Sequence, residues 1–191
     1  MTRRSLSRLL PGRVRQDGGV TDADAASFAL LVLRAAVGGV LLAHGVNHIV
    51  GGGRITGTAR WFENLGMRPG IVHAWLASLT EVVAGVLLVV GLLTPLAAAG
   101  VIGVMLVAWI TNHRGNGFFI FRPGEGWEYV MVLTVCGVVL ATLGAGDWSL
   151  DAALDLFDEP SWGNLAVGAG AGAGGAAALL LTCWRPEREA E

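Results

Sequence analysis

Residues 72–93 read Val72-His-Ala-Trp-Leu-Ala-Ser-Leu-Thr-Glu-Val-Val-Ala-Gly-Val-Leu-Leu-Val-Val-Gly-Leu-Leu93, an apolar run with a carboxylate, Glu81, close to its middle. About 20 apolar residues rising about 1.5 Å each carry a helix across the hydrocarbon of a bilayer. An ionisable group at that depth costs several kcal/mol unless it is paired, protonated or turned toward a wet interior. Glu81 therefore predicts a helix packed inside a bundle. At helical spacing it shares a face with Ala77, Ala84 and Gly85, small residues that let a neighbouring backbone approach.

Working outward, comparable apolar stretches occupy residues 27–50, 95–113 and 126–143. Only Thr94-Pro95 separates the second stretch from the third, and proline stops one helix and starts the next, so those two helices are antiparallel neighbours. A fifth stretch, 162–184, alternates Gly and Ala between two tryptophans. Glycine is a poor helix former in water, but lipid offers the backbone no other partners and forces a helix. The alternative is a low-complexity segment that never inserts.

A composition of 53% hydrophobic and 15% charged residues fits an integral membrane protein. The net charge of -2 hides a segregation: Arg3, Arg4, Arg8, Arg13 and Arg15 crowd the first residues, while Asp147, Asp151, Asp155, Asp158 and Glu159 follow the fourth span. Without a dispersed basic surface, nucleic acid is excluded as a partner. The basic tail reads as a topology signal or an anionic-lipid contact. Cys136 and Cys183 form neither a CxxC pair nor a disulfide framework and read as packing residues. The chain thus divides into an Arg-rich tail (1–26), a four-helix membrane domain (27–155), an acidic linker end with the fifth helix (156–184) and a charged C-terminal tail (185–191).

Alternating spans bring the end of the first, the start of the second, the end of the third and the start of the fourth to one membrane face. That face collects every histidine: His44 and His48, His73, and His113, with Trp127, Glu128 and Tyr129 nearby. By rise per residue, His44 lies about 9 Å and Glu81 about 13 Å below it, close enough in depth to pair. His44 and His48 are one turn apart, as paired metal ligands are, but nothing fixes a third ligand, so no metal site is assigned. Haem held by His44 or His48 with His113 is disfavoured because membrane histidines more often serve hydrogen bonding. His73 reads as an interfacial anchor. Arg34, on the His48 side of the first span, either snorkels or reaches toward Glu81. Between spans one and two, Trp61, Phe62 and Leu65 fall on one side of a short interfacial helix. Residues 118–121, three phenylalanines and an isoleucine, form a candidate lid.

The order of these motifs resembles the DoxX family of small membrane proteins. The resemblance rests on Leu33-Arg34-Ala-Ala-Val-Gly38, Ala43-His44-Gly45-Val-Asn-His48, Trp61-Phe62 with Leu65-Gly66, Thr80-Glu81-Val-Val-Ala-Gly85 closing in Gly91-Leu-Leu-Thr94, and His113 to Asn116-Gly117-Phe118 followed by Gly126-Trp-Glu128-Tyr129. It implies an all-α, four-helix transmembrane bundle, to which this chain adds the fifth Gly/Ala-rich helix. It also implies a link to quinone-dependent sulfur oxidation or to membrane oxidoreductase complexes serving thiol and superoxide defence. Arg34, His44, Glu81, His113 and Glu128 carry over as matching polar positions, and His48 stands where the pattern has a basic residue.

The leading expectation is a redox-linked, quinone-associated component of a membrane oxidoreductase system in the cell (inner/plasma) membrane, an oxidoreductase or a subunit of one if it catalyses at all. A quinone headgroup needs hydrogen-bond partners for two carbonyls and a route for protons. Glu81, His44 and His48 are the candidate catalytic residues; His44, His113, Trp127, Glu128 and Arg34 are the candidate cofactor-binding ones, with Trp127 or Phe118 closing over the ring. The alternative is a non-catalytic scaffold for membrane or peripheral oxidoreductase subunits, in which Glu81 fixes helix register. A small transporter comes third, because no internal repeat or broken midplane helix is present.

Overall fold

The computed structural model describes residues 21–157 and 159–186. Most of the Arg-rich tail and most of the charged C-terminal tail, with Asp158, lie outside the described residues. The chain forms α1 (Asp22–Val50), α2 (Arg54–Asn64), α3 (Gly70–Val90), α4 (Thr94–Ala108) running into a π turn (Trp109–His113), α5 (Glu128–Leu143), α6 (Leu150–Ala153) and α7 (Trp162–Cys183). Among the described residues the only β pairing is an isolated bridge between Met67 and Trp184. The fold is an all-α membrane bundle.

Among the described residues, four helices are long and apolar enough to cross a membrane: α1, α3, α4 with its π turn, and α7. The fourth expected span is the exception. It forms α5, a helix of 16 residues, only about 24 Å long, which packs against α4 and α7. The first helix begins at Asp22, earlier than the expected 27. Thr21 and Asp24 close a capping box there, each side chain accepting from the other's backbone N–H at 3.1 Å.

The antiparallel pair α1/α3 makes the most extensive helix contact in the bundle. On α1 the buried positions Arg34, Gly38, Leu41 and Gly45 recur at alternating steps of four and three; on α3, Ala74, Ser78, Glu81, Gly85 and Leu88 do the same. This 3.5-residue period keeps one face of each helix against the other along the seam. Small residues at the crossing bring backbone onto backbone: a Cβ on Gly38 would stand 2.7 Å from the Gly85 carbonyl oxygen, and one on Gly45 2.8 Å from that of Ser78. Next to α3, α4 packs on α5 and α7 as well. Gly168, Gly172 and Ala176 are the buried face of α7, and a Cβ on Gly172 would lie 2.7 Å from the Ala99 carbonyl oxygen. The glycines that weaken a helix in water are what let α7 dock.

At the end away from the histidines, α3 stops at Gly91, whose left-handed backbone (φ 66°) is a common helix terminator. The carbonyls left over are taken by Arg34, 1% exposed. Its Nη1 donates to Leu88 O at 3.2 Å and Val89 O at 2.6 Å, and its Nη2 donates to Trp148 O. Asp151, from α6, accepts from the backbone N–H groups of Leu93 (2.7 Å) and Thr94 (2.9 Å). Arg34 thus neither snorkels to water nor reaches toward Glu81, because the end of α3 supplies a nearer set of acceptors.

Candidate functional site

A cavity of about 370 Å³ lies against α4, between α3 on one side and α7 on the other, closed at one end by α2. The face of α4 that forms its floor repeats at helical spacing: Gly100, Gly103, Val104, Val107 and Thr111. The π turn carries Thr111 into this wall. Such insertions recur at functional sites because they re-aim side chains. His73, Ala77 and Thr80 line the cavity from one stripe of α3.

His73 is the outstanding group. It is 3% exposed, and neither ring nitrogen has a hydrogen-bond partner. A buried polar group left unpaired costs about 1–3 kcal/mol. Its place at the first turn of α3 suggested an interfacial anchor. Burial comes instead from α2, which folds over it. Phe62 packs its ring 6.5 Å from the His73 ring, and α2 is held by Thr58 donating to His48 O at 2.8 Å and by Gly70 N donating to the Glu63 carboxylate at 3.3 Å. The spacing His73–Thr80, seven residues apart on a small-residue stripe, was the available signal.

His48 lines the same cavity, and its Nδ1 lies 3.1 Å from Oε2 of Glu81. Neither atom has another partner. The two side chains thus pair with each other across the α1/α3 seam. The partner expected from depth was His44. On α1 it is Gly45 that faces α3, with Glu81 Cβ 3.0 Å from where its Cβ would be. His44, one residue earlier, is rotated about 100° onto an exposed face. Its ring lies 6.2 Å from that of Tyr129, which is itself within Coulombic reach of Glu81.

The remaining candidates stand outside the cavity lining. Arg34 is at the opposite end of the bundle. His113 belongs to the α4–α5 connection: its Nδ1 donates to Glu125 O at 2.8 Å, which leaves Nε2 to accept from Asn112 Nδ2 at 3.2 Å. Glu128 accepts from Ile120 N at 3.1 Å, and Trp127 meets Phe118 edge-on at 4.8 Å. These contacts fold the phenylalanine-rich connection onto itself. Aromatic cover for the cavity comes instead from Trp61 and Phe62, whose rings contact at 5.0 Å. Trp127 lines a smaller cavity of about 220 Å³ with Leu106, Trp109 and Met131.

The fifth helix supplies one whole wall, through Ala171, Gly172, Gly175, Ala176 and Leu179. Its end is fastened beside the site, where the Trp184 indole donates to Leu65 O at 2.8 Å and Arg185 N donates to Gly66 O at 2.7 Å. No curated protein and no solved structure matches the chain. The family model for DoxX matches residues 29–114, from α1 through the π turn.

Proposed function

We propose, for a chain that belongs to the DoxX family over residues 29–114, that the cavity beside His73 holds the headgroup of a membrane quinone and that the protein is a redox-linked component of a membrane oxidoreductase system. The observation that carries this reading is the unpartnered, buried His73 imidazole in a cavity of ligand size, about 370 Å³. The donor set fits the group: His73 offers a hydrogen bond to one ring oxygen, Thr80, Thr111 and His48 border the remaining space, and Trp61 and Phe62 cover a flat ring. A bound quinone supplies a two-electron, two-proton couple. His48 passes a proton between the cavity and Glu81, which holds it out of contact with water at 4% exposure. Electrons come from membrane or peripheral oxidoreductase subunits, and the site of action is the cell membrane.

The test is quinone titration of the purified full-length protein, wild type against His73→Leu. The leucine removes one buried hydrogen bond worth about 1–2 kcal/mol, so affinity falls roughly 5–30-fold. The unfolding temperature holds or rises, because an unpaired polar group leaves an apolar pocket. Equal affinity in the two proteins, or no binding by wild type, rejects the reading.

A second reading, a scaffold for other membrane subunits, draws on the outward face of α7. Side chains added at Gly170 and Gly174 would meet nothing within 4 Å. A lone, stable monomer recovered under mild extraction counts against it.

A further inference from the structure

Resting on the quinone reading for its polar end, the geometry points to a second half of the same site: a lateral groove over α4 that takes the ligand's prenyl chain, with Gly175 setting its bore. Helices α3 and α7 flank α4 on two sides and make little direct contact with one another. The strip of α4 between them is only half-buried and lines the cavity through Ala99, Gly100, Gly103 and Val104. From Thr111 to Ala99 the lining runs along α4 for about 18 Å.

The two ends of that length differ in chemistry. His48, His73, Thr111 and the Trp61/Phe62 rings gather at the α2 end. Toward the middle of the bundle the lining is made by Ala99, Gly100, Ala171 and Gly172, and the polar residue at that level, Thr80, turns its Cγ2 methyl toward Gly100. Several lining residues also reach the outer surface: Leu76 is 46% exposed, and Ala171 and Gly175 are exposed. The cavity is therefore continuous with the lipid-facing side, and its apolar end points along the bilayer core. A ring headgroup at the histidine end with a hydrocarbon chain running inward fills both halves. A compact polar solute leaves the longer half empty.

Gly175 lines this groove, yet a Cβ built on it meets nothing within 4 Å. A larger side chain there grows into the groove without striking backbone. Gly174 is equally open and is not part of the lining, which makes it a matched control. Both substitutions also replace the weaker helix former.

The experiment compares two probes, a benzoquinone headgroup carrying a decyl chain and the same headgroup without it, on full-length wild type, Gly175→Leu and Gly174→Leu in nanodiscs. Gly175→Leu should lose at least about tenfold in affinity for the tailed probe, as overfilling a packed site does, and bind the bare headgroup like wild type. Gly174→Leu should match wild type with both. Unchanged binding of the tailed probe to Gly175→Leu overturns the groove and leaves the headgroup reading standing. Equal loss of both probes also overturns it, because α7 then meets the ring and not the chain. If wild type binds neither probe, the quinone reading itself falls. Retention of a phospholipid that neither probe displaces makes the groove an acyl-chain site and overturns the inference as well.

Discussion

Replacing Arg34 by methionine separates the structural end of the bundle from the site. The guanidinium makes three hydrogen bonds to carbonyl oxygens, of Leu88, Val89 and Trp148, and lies within Coulombic reach of the fully buried Asp151. Hydrogen bonds from a charged donor are worth about 1.5–3 kcal/mol each. Removing one member of a buried charged network costs about 3–5 kcal/mol. These describe the same loss from two sides and are not summed. Methionine refills the volume of the arginine stem, so no large cavity adds to the cost. At about 2–4 °C per kcal/mol for a chain of this size, the unfolding midpoint falls by roughly 6–20 °C. Tryptophan fluorescence during thermal unfolding in detergent reads this directly, since Trp148 sits at the lesion with its ring 6.3 Å from Phe28. Arg34→Lys keeps the charge but not the fork and should fall between the two. Quinone affinity measured well below the midpoint should be unchanged. A midpoint within about 2 °C of wild type, or lost binding in a protein of undiminished stability, would refute the assignment and return Arg34 to the binding residues.

Three further substitutions probe other contacts. Gly45→Ala pushes a methyl to 2.8 Å from the Ser78 carbonyl oxygen; it should cost about 1–3 kcal/mol in thermal unfolding, because backbone on both sides has nowhere to move. Glu81→Gln keeps the size of the side chain and its hydrogen bonding to His48, so the midpoint should stay within a few degrees; collapse of the fold would instead make the carboxylate charge a structural requirement. Trp184→Phe loses the 2.8 Å bond to Leu65 O, worth about 0.5–1.5 kcal/mol, and should raise hydrogen exchange at the last turn of α7 before any other helix.

The spans were legible because apolar length is a one-dimensional property, and so was the need of Glu81 for a partner, because burial of a carboxylate is costly wherever it happens. Which histidine answers that need was not read correctly. Depth follows from rise per residue, whereas contact depends on rotation, and rotation on α1 is set by Gly38, Leu41 and Gly45. The 3.5-residue spacing of those positions already leads to His48, three residues past Gly45, and away from His44. Arg34 was misread for another reason. Its acceptors exist only where α3 ends in a left-handed glycine, and Asp151 joins them from a helix more than a hundred residues along the chain. His73 was undervalued because its burial depends on α2 folding back over it.

The division of the cavity between two parts of the chain separates its chemistry from its shape. Every polar side chain in the lining, from His48 to Thr111, lies within residues 29–114, the DoxX-matching segment, whereas the wall made by α7 lies beyond it. The α7 face is built of Gly, Ala and one Leu, residues that add no hydrogen bond and act only by the space they leave. Substitutions in the matched segment should therefore alter how the polar end of a ligand is held and whether a proton can leave it. Substitutions on α7 should alter which ligands fit while leaving those hydrogen bonds intact. Two kinds of variant with non-overlapping effects are the signature of such an arrangement, and a single class of variant disturbing both properties together would mean that ring and chain share one undivided pocket.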